Sequence, residues 1–259
     1  MAEEPELRYE RDGPVAIVTF NRPHARNAMT FAMYEELYAR CDELDADDEI
    51  RVVVMRGAGG RAFVSGTDIR QFLDFDSGST GIEYEAGIDR YLGRLDALRT
   101  PAIAQVQGYA VGAGLSIAAA CDLRVCAPDA RFGLPVARTL GNCLSMAGYA
   151  RLVAVLGEAR VKDVVFRARM IDADEALAAG FVSAIAPEQE LEAHVMDLAH
   201  RIAGHAPITL RVTKEALRRL RAANVPDGAD LVAEAYGSED FRAGVAAFLE
   251  KRRHVWTGR

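Results

Sequence analysis

The 259-residue chain has little of what marks several functional classes. Its four cysteines, Cys41, Cys121, Cys126 and Cys143, form no CxxC pair, and a chain of this length buries enough core to do without a disulfide framework. Five scattered histidines make no HExxH, so no metal site is expected. Basic residues are outnumbered 31 to 38 by acidic ones, a formal charge of −7, which argues against the broad cationic surface that nucleic acid requires. A local basic patch able to hold a phosphate remains compatible with that balance. No apolar run is long enough for a membrane span. The nearest, residues 102–120, is interrupted by Gln105, Gln107, Gly108, Gly112 and Gly114. The opening residues, Met1 to Glu6, are acidic and lack the basic and apolar regions of a secretory leader, so a cytoplasmic location is expected.

Half of the residues are apolar, and no Gly/Ser-rich or Pro-rich linker divides them. One domain with an appended helical tail is the simplest partition. Residues 6–10 and 15–20 flank Arg11-Asp12-Gly13-Pro14 and read as a hairpin. Thr30 is placed to cap a helix reaching about Ala46, with the acidic Asp45–Asp48 stretch in the following turn. Residues 50–55 form a continuous valine-rich run, the pattern of a strand covered on both faces. Further strands are expected at 62–64, 102–106, 123–127 and 182–186, and helices at 82–98, at 112–120 and through most of the chain after Leu144. Strands alternate with helices early and helices dominate late, which is an α/β domain with a helical C-terminal region.

Two glycine-flanked turns carry chemical potential. In Phe63-Val64-Ser65-Gly66-Thr67-Asp68-Ile69, a glycine after a short strand lets the backbone turn sharply and presents the Thr67 amide to a cleft. Alone, this is also what an ordinary strand-ending turn looks like. In Gly108-Tyr109-Ala110-Val111-Gly112-Ala113-Gly114, a helix begins, and its first amides have no partner within the helix. The Ala113 amide is a natural donor to a developing oxyanion. Small residues there also serve close helix packing. Ile117 stands where a dinucleotide-binding fingerprint needs its third glycine.

Five segments taken in order are more specific. Residues 21–28 (Asn21-Arg22-Pro23-His24-Ala25-Arg26-Asn27-Ala28) resemble the NRPxxxNA opening of the crotonase, or enoyl-CoA hydratase/isomerase, family. Residues 62–69 resemble its AFxxGxDI segment and residues 107–114 its glycine turn, followed by Ala120-Cys121-Asp122. Ala173-Asp174-Glu175-Ala176 with Ala179-Gly180-Phe181-Val182, and Phe241 with Gly244 to Arg252, resemble two later family segments. The resemblance implies a crotonase-like spiral of ββα units over residues 1–200, and a helical trimerisation region over 201–259. It further implies an acyl-CoA substrate, no cofactor beyond the CoA the substrate carries, and a homotrimer or dimer of trimers. The Thr67 and Ala113 amides would form an oxyanion hole for the thioester carbonyl. Ser65, Gly66, Asp68, Ile69, Tyr109, Gly112 and Val136 would border the substrate. His24, Ala25 and Arg26 would lie by the CoA phosphates and adenine, and Phe248 and Lys251 would cover a neighbouring subunit's CoA. For Lys251 a solvated charge in a basic run is an equal alternative.

The pattern breaks where hydratases of the family carry two glutamates. The first position is Ser116; the second is Val136 or Ala137, after Phe132-Gly133-Leu134-Pro135. No Asp or Glu occurs from Ala130 through Gly157, so no shift of alignment restores the second carboxylate. Syn-hydration needs one group to activate water and another to deliver a proton, and neither serine nor valine does either unaided. Altered enolate chemistry is therefore expected: isomerisation, C–C cleavage or thioester hydrolysis. Ser116 is a candidate to hold a substrate hydroxyl or a water, or is a helix serine bonded to its own turn. Asn142, Cys143, Ser145 and Tyr149 replace the usual glycine-rich loop, and Tyr84, Glu85 and Tyr91 lie in the segment bordering the acyl end. Asp68 and Asp122 read as structural acids bonding nearby amides. Two other classes fit the same residues: an acyl-CoA-binding protein without catalysis, and a serine acyl hydrolase built on Gly114-Leu115-Ser116-Ile117-Ala118.

Overall fold

The computed structural model describes residues 4–223 and 225–259. Strands β1 (Leu7–Asp12) and β2 (Val15–Phe20) form the expected hairpin. They begin a six-stranded sheet in the order β1-β2-β3-β5-β7-β10, with β3 Val52–Gly57, β5 Ala102–Val106, β7 Leu123–Cys126 and β10 Ala184–Ile185. The interior strands run parallel, and their valine-rich sequences follow from burial on both faces. Ala16, Val18, Val53, Met55, Ala102 and Ala104 face the main core. Their alternates Val15, Ile17, Val52, Val54, Ile103 and Val125 face a second core. Leu191, Val195, Ala199 and Ile202 of a late helix, Leu191–Ala203, close that second face.

A second sheet, β4-β6-β8-β9, consists of three-residue strands: β4 Ala62–Val64, β6 Tyr109–Val111, β8 Arg131–Gly133 and β9 Met170–Asp172. The last three are not apparent as strands in sequence, because three residues carry no period. A strand of the large sheet, one of the small sheet and a helix recur in order. The helices of these units are α2 (Gly78–Asp96) after β4 and α3 (Ala113–Ala120) after β6, preceded in the chain by α1 (Phe31–Ala46). This is the α/β spiral of ββα units that was expected. The Thr30 hydroxyl caps α1 by accepting from the Met33 amide at 3.1 Å. Asp45 stays inside the last turn of α1 rather than beyond it. Arg94 and the Arg99 amide bind its carboxylate at 2.7 and 2.8 Å and offset its unfavourable place on the helix dipole.

After β8 come α4 (Val136–Thr139), α5 (Met146–Leu156), α6 (Glu158–Phe166) and α7 (Ala173–Ala178), then α8 (Leu191–Ala203), α9 (Pro207–Ala222), α10 (Ala229–Gly237) and α11 (Glu239–Leu249). Helix α10 folds back onto α2, where a Cβ on Gly81 would overlap the Tyr236 ring. Phe72, Phe75, Val232, Tyr236, Phe241 and Val245 make a third, aromatic-rich cluster there. No helix among the described residues is long and apolar enough to cross a membrane.

Within the Asn21–Ala28 motif, one residue is structural. Asn27 is fully buried, with its side chain accepting from the Arg22 amide at 2.9 Å and donating to the Ala58 and Ala62 carbonyls at 2.9 and 2.8 Å. It ties the opening loop to the start of β4. Asn27→Ala strands these buried groups and is expected to cost about 3 kcal/mol in chemical denaturation. A loss below about 1 kcal/mol would show that water or rearrangement replaces the three bonds.

Candidate active site

The two glycine turns meet. Gly66 (φ 126°) follows β4, and Gly112 (φ 56°, ψ −116°) precedes α3, conformations that side chains rarely tolerate. A Cβ on Gly112 would touch the Gly66 Cα at 3.6 Å, so the turns are neighbours. Gly114 lets α3 sit on β4, since a Cβ there would collide with the Val64 carbonyl. Each turn is pinned: the Met29 amide donates to the Gly66 carbonyl at 2.8 Å, and the Gly112 amide to the Gly133 carbonyl at 2.9 Å. Neither the Thr67 nor the Ala113 amide has an acceptor among the described residues. Both residues line one cavity of about 190 Å³.

The walls of this cavity come from six stretches of the chain, including Tyr34 of α1 and Phe248 of α11. Ile69, Phe72, Ile88, Leu134, Leu140 and Leu144 supply apolar surface. Ser116 lines it from α3; its Oγ bonds no described group, so it is not held by its own turn. Val136 also lines it, whereas Ala137 is exposed and does not. Ser116 and Val136 thus bring a hydroxyl and carbon, and no charge, to the cavity wall. Among the described residues no histidine lines the cavity.

One carboxyl does. Glu85, on α2, is the only acidic residue among those lining the cavity, and no Lys, Arg or Asp joins it. It is 4% exposed, with Oε1 accepting from the Tyr236 hydroxyl at 2.6 Å and Oε2 from the Ser145 amide at 2.8 Å. Burial pushes its pKa up from 4.5 to about 7, against the pull of those two hydrogen bonds. Beside it, the Thr67 hydroxyl joins the Tyr34 and Tyr84 hydroxyls at 2.9 and 2.8 Å. Burial raises both phenols far above their ordinary range, so they stay neutral donors and acceptors. The sequence signal for Glu85 is weak, one of four acids in a polar helix. What distinguishes it is the packing of α10 over α2, which local sequence does not show.

Other expected positions fall differently. Ser65, Gly66, Ile69 and Gly112 line the cavity with Thr67 and Ala113. Asp68 does not: its carboxylate binds Arg70 and Arg22, and the Arg70 bond foremost holds its pKa down at about 2. It also accepts from the Arg70 amide at 3.2 Å, in keeping with a structural role and against a place in the substrate pocket. Asp122 binds the Ala102 amide at 2.7 Å and Lys214 at 2.6 Å, likewise structural. Tyr109 is exposed at the start of β6, away from the cavity. His24, Ala25 and Arg26 sit outside it but beside its rim, the Ser65 amide donating to the Arg26 carbonyl at 3.2 Å. Phe248 lines its own chain's cavity, where the resemblance places it over a neighbour's, and Lys251 is exposed and outside it. Asn142 lines the cavity; Cys143, Ser145, Tyr149 and Tyr91 do not. Burial pushes all four thiols up to about 12, which leaves no ready thiolate.

Known proteins agree with this architecture. The family model described as enoyl-CoA hydratase/isomerase matches residues 10–259. A short-chain-enoyl-CoA hydratase of Clostridium acetobutylicum is 34% identical, with 94% of each chain covered. The 2,3-dehydroadipyl-CoA hydratase of Escherichia coli is 33% identical, covering 98% of this chain and 99% of its own. Among solved structures, a methylmalonyl-CoA decarboxylase in complex with 2-nitronate-propionyl-CoA superposes with a TM-score of 0.90 at 26% identity, over 99% of this chain and 100% of that one. An enoyl-CoA hydratase/carnithine racemase from Magnetospirillum magneticum gives 0.80 at 31% identity, over 99% and 97%. With the fold and the paired glycine turns, these matches place the chain in the enoyl-CoA hydratase/isomerase, or crotonase, family of acyl-CoA enzymes.

Proposed function

We propose that the chain is an acyl-CoA enzyme that forms a thioester enolate and completes reactions needing a single proton-moving group, allylic double-bond isomerisation first among them, rather than two-carboxylate hydration. The observation that carries this reading is the cavity lining: two amides without acceptors at Thr67 and Ala113, with Ser116 and Val136 in place of a carboxylate pair. Two N–H donors aimed at the thioester oxygen stabilise the enolate more than the ground-state carbonyl, and a dry, neutral wall strengthens them. His24, Ala25 and Arg26, beside the Ser65 rim, are the residues we assign to the CoA phosphates and adenine.

C–C cleavage through the same enolate is the second reading. It is favoured by the close superposition on a methylmalonyl-CoA decarboxylase. A serine hydrolase built on Ser116 has less support, because no histidine lines the cavity to activate the hydroxyl. A binding protein without turnover would have equal use for the pocket, and exchange chemistry separates the two.

Ala113 is the first residue of α3, a position where proline fits a helix while lacking the N–H. Ala113→Pro is therefore expected to fold and bind acyl-CoA but to lose about 10²-fold or more in rate. The rate to follow is exchange of α-hydrogens of saturated acyl-CoAs with D2O, read by mass spectrometry. No exchange by the wild-type protein with any acyl length it binds would contradict the enolate reading. Crotonyl-CoA hydration at an efficiency matching that exchange would contradict the exclusion of hydration.

The reading also makes the chain a homotrimer or dimer of trimers. Supporting it are Ile208, Val212, Leu217 and Leu220, apolar side chains exposed along α9. Sedimentation equilibrium is expected to give three or six chains; a monomer at micromolar concentration would overturn this part.

A further inference from the structure

We infer that Glu85 is the catalytic proton carrier of this site, held in place by Tyr236 from the C-terminal helices, and that the reaction it serves is a 1,3 proton shift on an enoyl thioester. The inference rests on the enolate reading above and deepens it.

Geometry comes first. Glu85 is the one carboxyl on a cavity that also holds the two free amides, and it enters from α2, an element unrelated to the two vacant glutamate positions on α3 and α4. Each of its oxygens accepts one protein hydrogen bond and retains a second acceptor site. The Tyr236 hydroxyl has its own orientation set, since it accepts from Asn142 Nδ2 at 3.2 Å while donating to Glu85 at 2.6 Å. Asn142 Oδ1, on the cavity wall, is buried without a partner. A chain of Asn142, Tyr236 and Glu85 thus aims one carboxyl from three separate segments.

Anchoring α5 is the other role open to Glu85, because the Ser145 amide lies at that helix's N-terminus. Anchoring favours a permanently ionised acid. The balance around Glu85 runs the other way: burial and Asp89 favour the neutral acid and outweigh the Tyr236 hydroxyl and Ser145 amide, which favour the carboxylate. Asp89 on its own helix is a second acid, and Tyr34 of α1, Tyr84 of α2, Tyr236 of α10, Cys143 of the preceding loop and Tyr149 of α5 are neutral acids interacting with it. No cation is among the groups acting on it, and with burial as the dominant cause it titrates at about 7. A group poised there both takes and returns a proton near neutrality.

The step balances without a co-reactant. The Glu85 carboxylate takes the C2 proton of a 3-enoyl thioester. The C–H electron pair becomes the C1–C2 double bond, and the carbonyl π pair moves to oxygen under the Thr67 and Ala113 amides. The resulting dienolate takes the same proton back at C4 from the Glu85 carboxylic acid, which leaves the 2-enoyl thioester and the carboxylate.

The test uses the full-length protein with 3-enoyl-CoAs, and with saturated acyl-CoAs in D2O, across pH 5 to 9. For the wild type, isomerisation is expected to rise with pH and level off above a midpoint near 7. Glu85→Gln is expected to bind the saturated acyl-CoAs within threefold of wild type but to lose at least about 10²-fold in both reactions. Tyr236→Phe removes a donor that stabilises the carboxylate, so its midpoint moves up while a rate remains. Where Glu85→Gln does not fold, Glu85→Asp decides, with a lower rate that keeps the sigmoidal pH dependence. Exchange or isomerisation within threefold of wild type in Glu85→Gln, or a midpoint unmoved by Tyr236→Phe, overturns the assignment of Glu85 and leaves the enolate reading standing. Absence of both reactions in the wild type overturns both.

Discussion

At Gly66 and Gly112 two stretches of backbone pass so close that a side chain on one would touch the other at 3.6 Å. Everything chemical at the cavity depends on that approach. Two N–H groups can serve one oxygen only if their parent turns are neighbours, and the turns are neighbours only because glycines occupy the positions of positive φ and of contact. The surrounding structure holds this arrangement. Gly114 seats α3 on β4, Asn27 anchors the loop before β4, and the Gly133 carbonyl of β8 takes the Gly112 amide. The short second sheet, negligible as a share of the fold, supplies three of these supports.

Around the two amides the protein has removed charge rather than added it. Hydroxyls of Tyr34, Thr67 and Tyr84 bond one another, Ser116 and Val136 are uncharged, and Glu85 carries the one carboxyl among the described lining residues. In such a wall a hydrogen bond to a developing enolate counts for more than it would beside water or competing ions. The same low polarity lifts Glu85 toward neutrality, so a single environment would serve both the proposed oxyanion and the proposed proton carrier. The C-terminal helices complete this environment, because Tyr236 and Phe248 come from α10 and α11.

Most of the large sheet was legible from the chain alone, because continuous valine-rich runs identify strands buried on both faces. Of the small strands only β4 was, since three residues carry no period. At the site, the turns at Gly66 and Gly112 could be read from strand-glycine-helix order, and uncharged residues at Ser116 and at Val136 or Ala137 prompted the expectation of altered chemistry. Asp68 shows the limit of position as a guide: it lies within the Gly66 segment, yet its carboxylate turns away to Arg22 and Arg70. Glu85 shows the converse. Nothing in its neighbourhood along the chain sets it apart, and its significance comes from Tyr236, Asn142 and Ser145, all at least 57 residues distant and brought to it by tertiary packing.

The account is tested most directly by a crystal structure of the protein with a bound acyl-CoA carrying a stable enolate mimic. The oxygen of the mimic is expected within about 3 Å of both the Thr67 and Ala113 amide nitrogens, with the carbons beside it turned toward Glu85. A thioester seated with its oxygen on neither amide, or on only one of them, would contradict it.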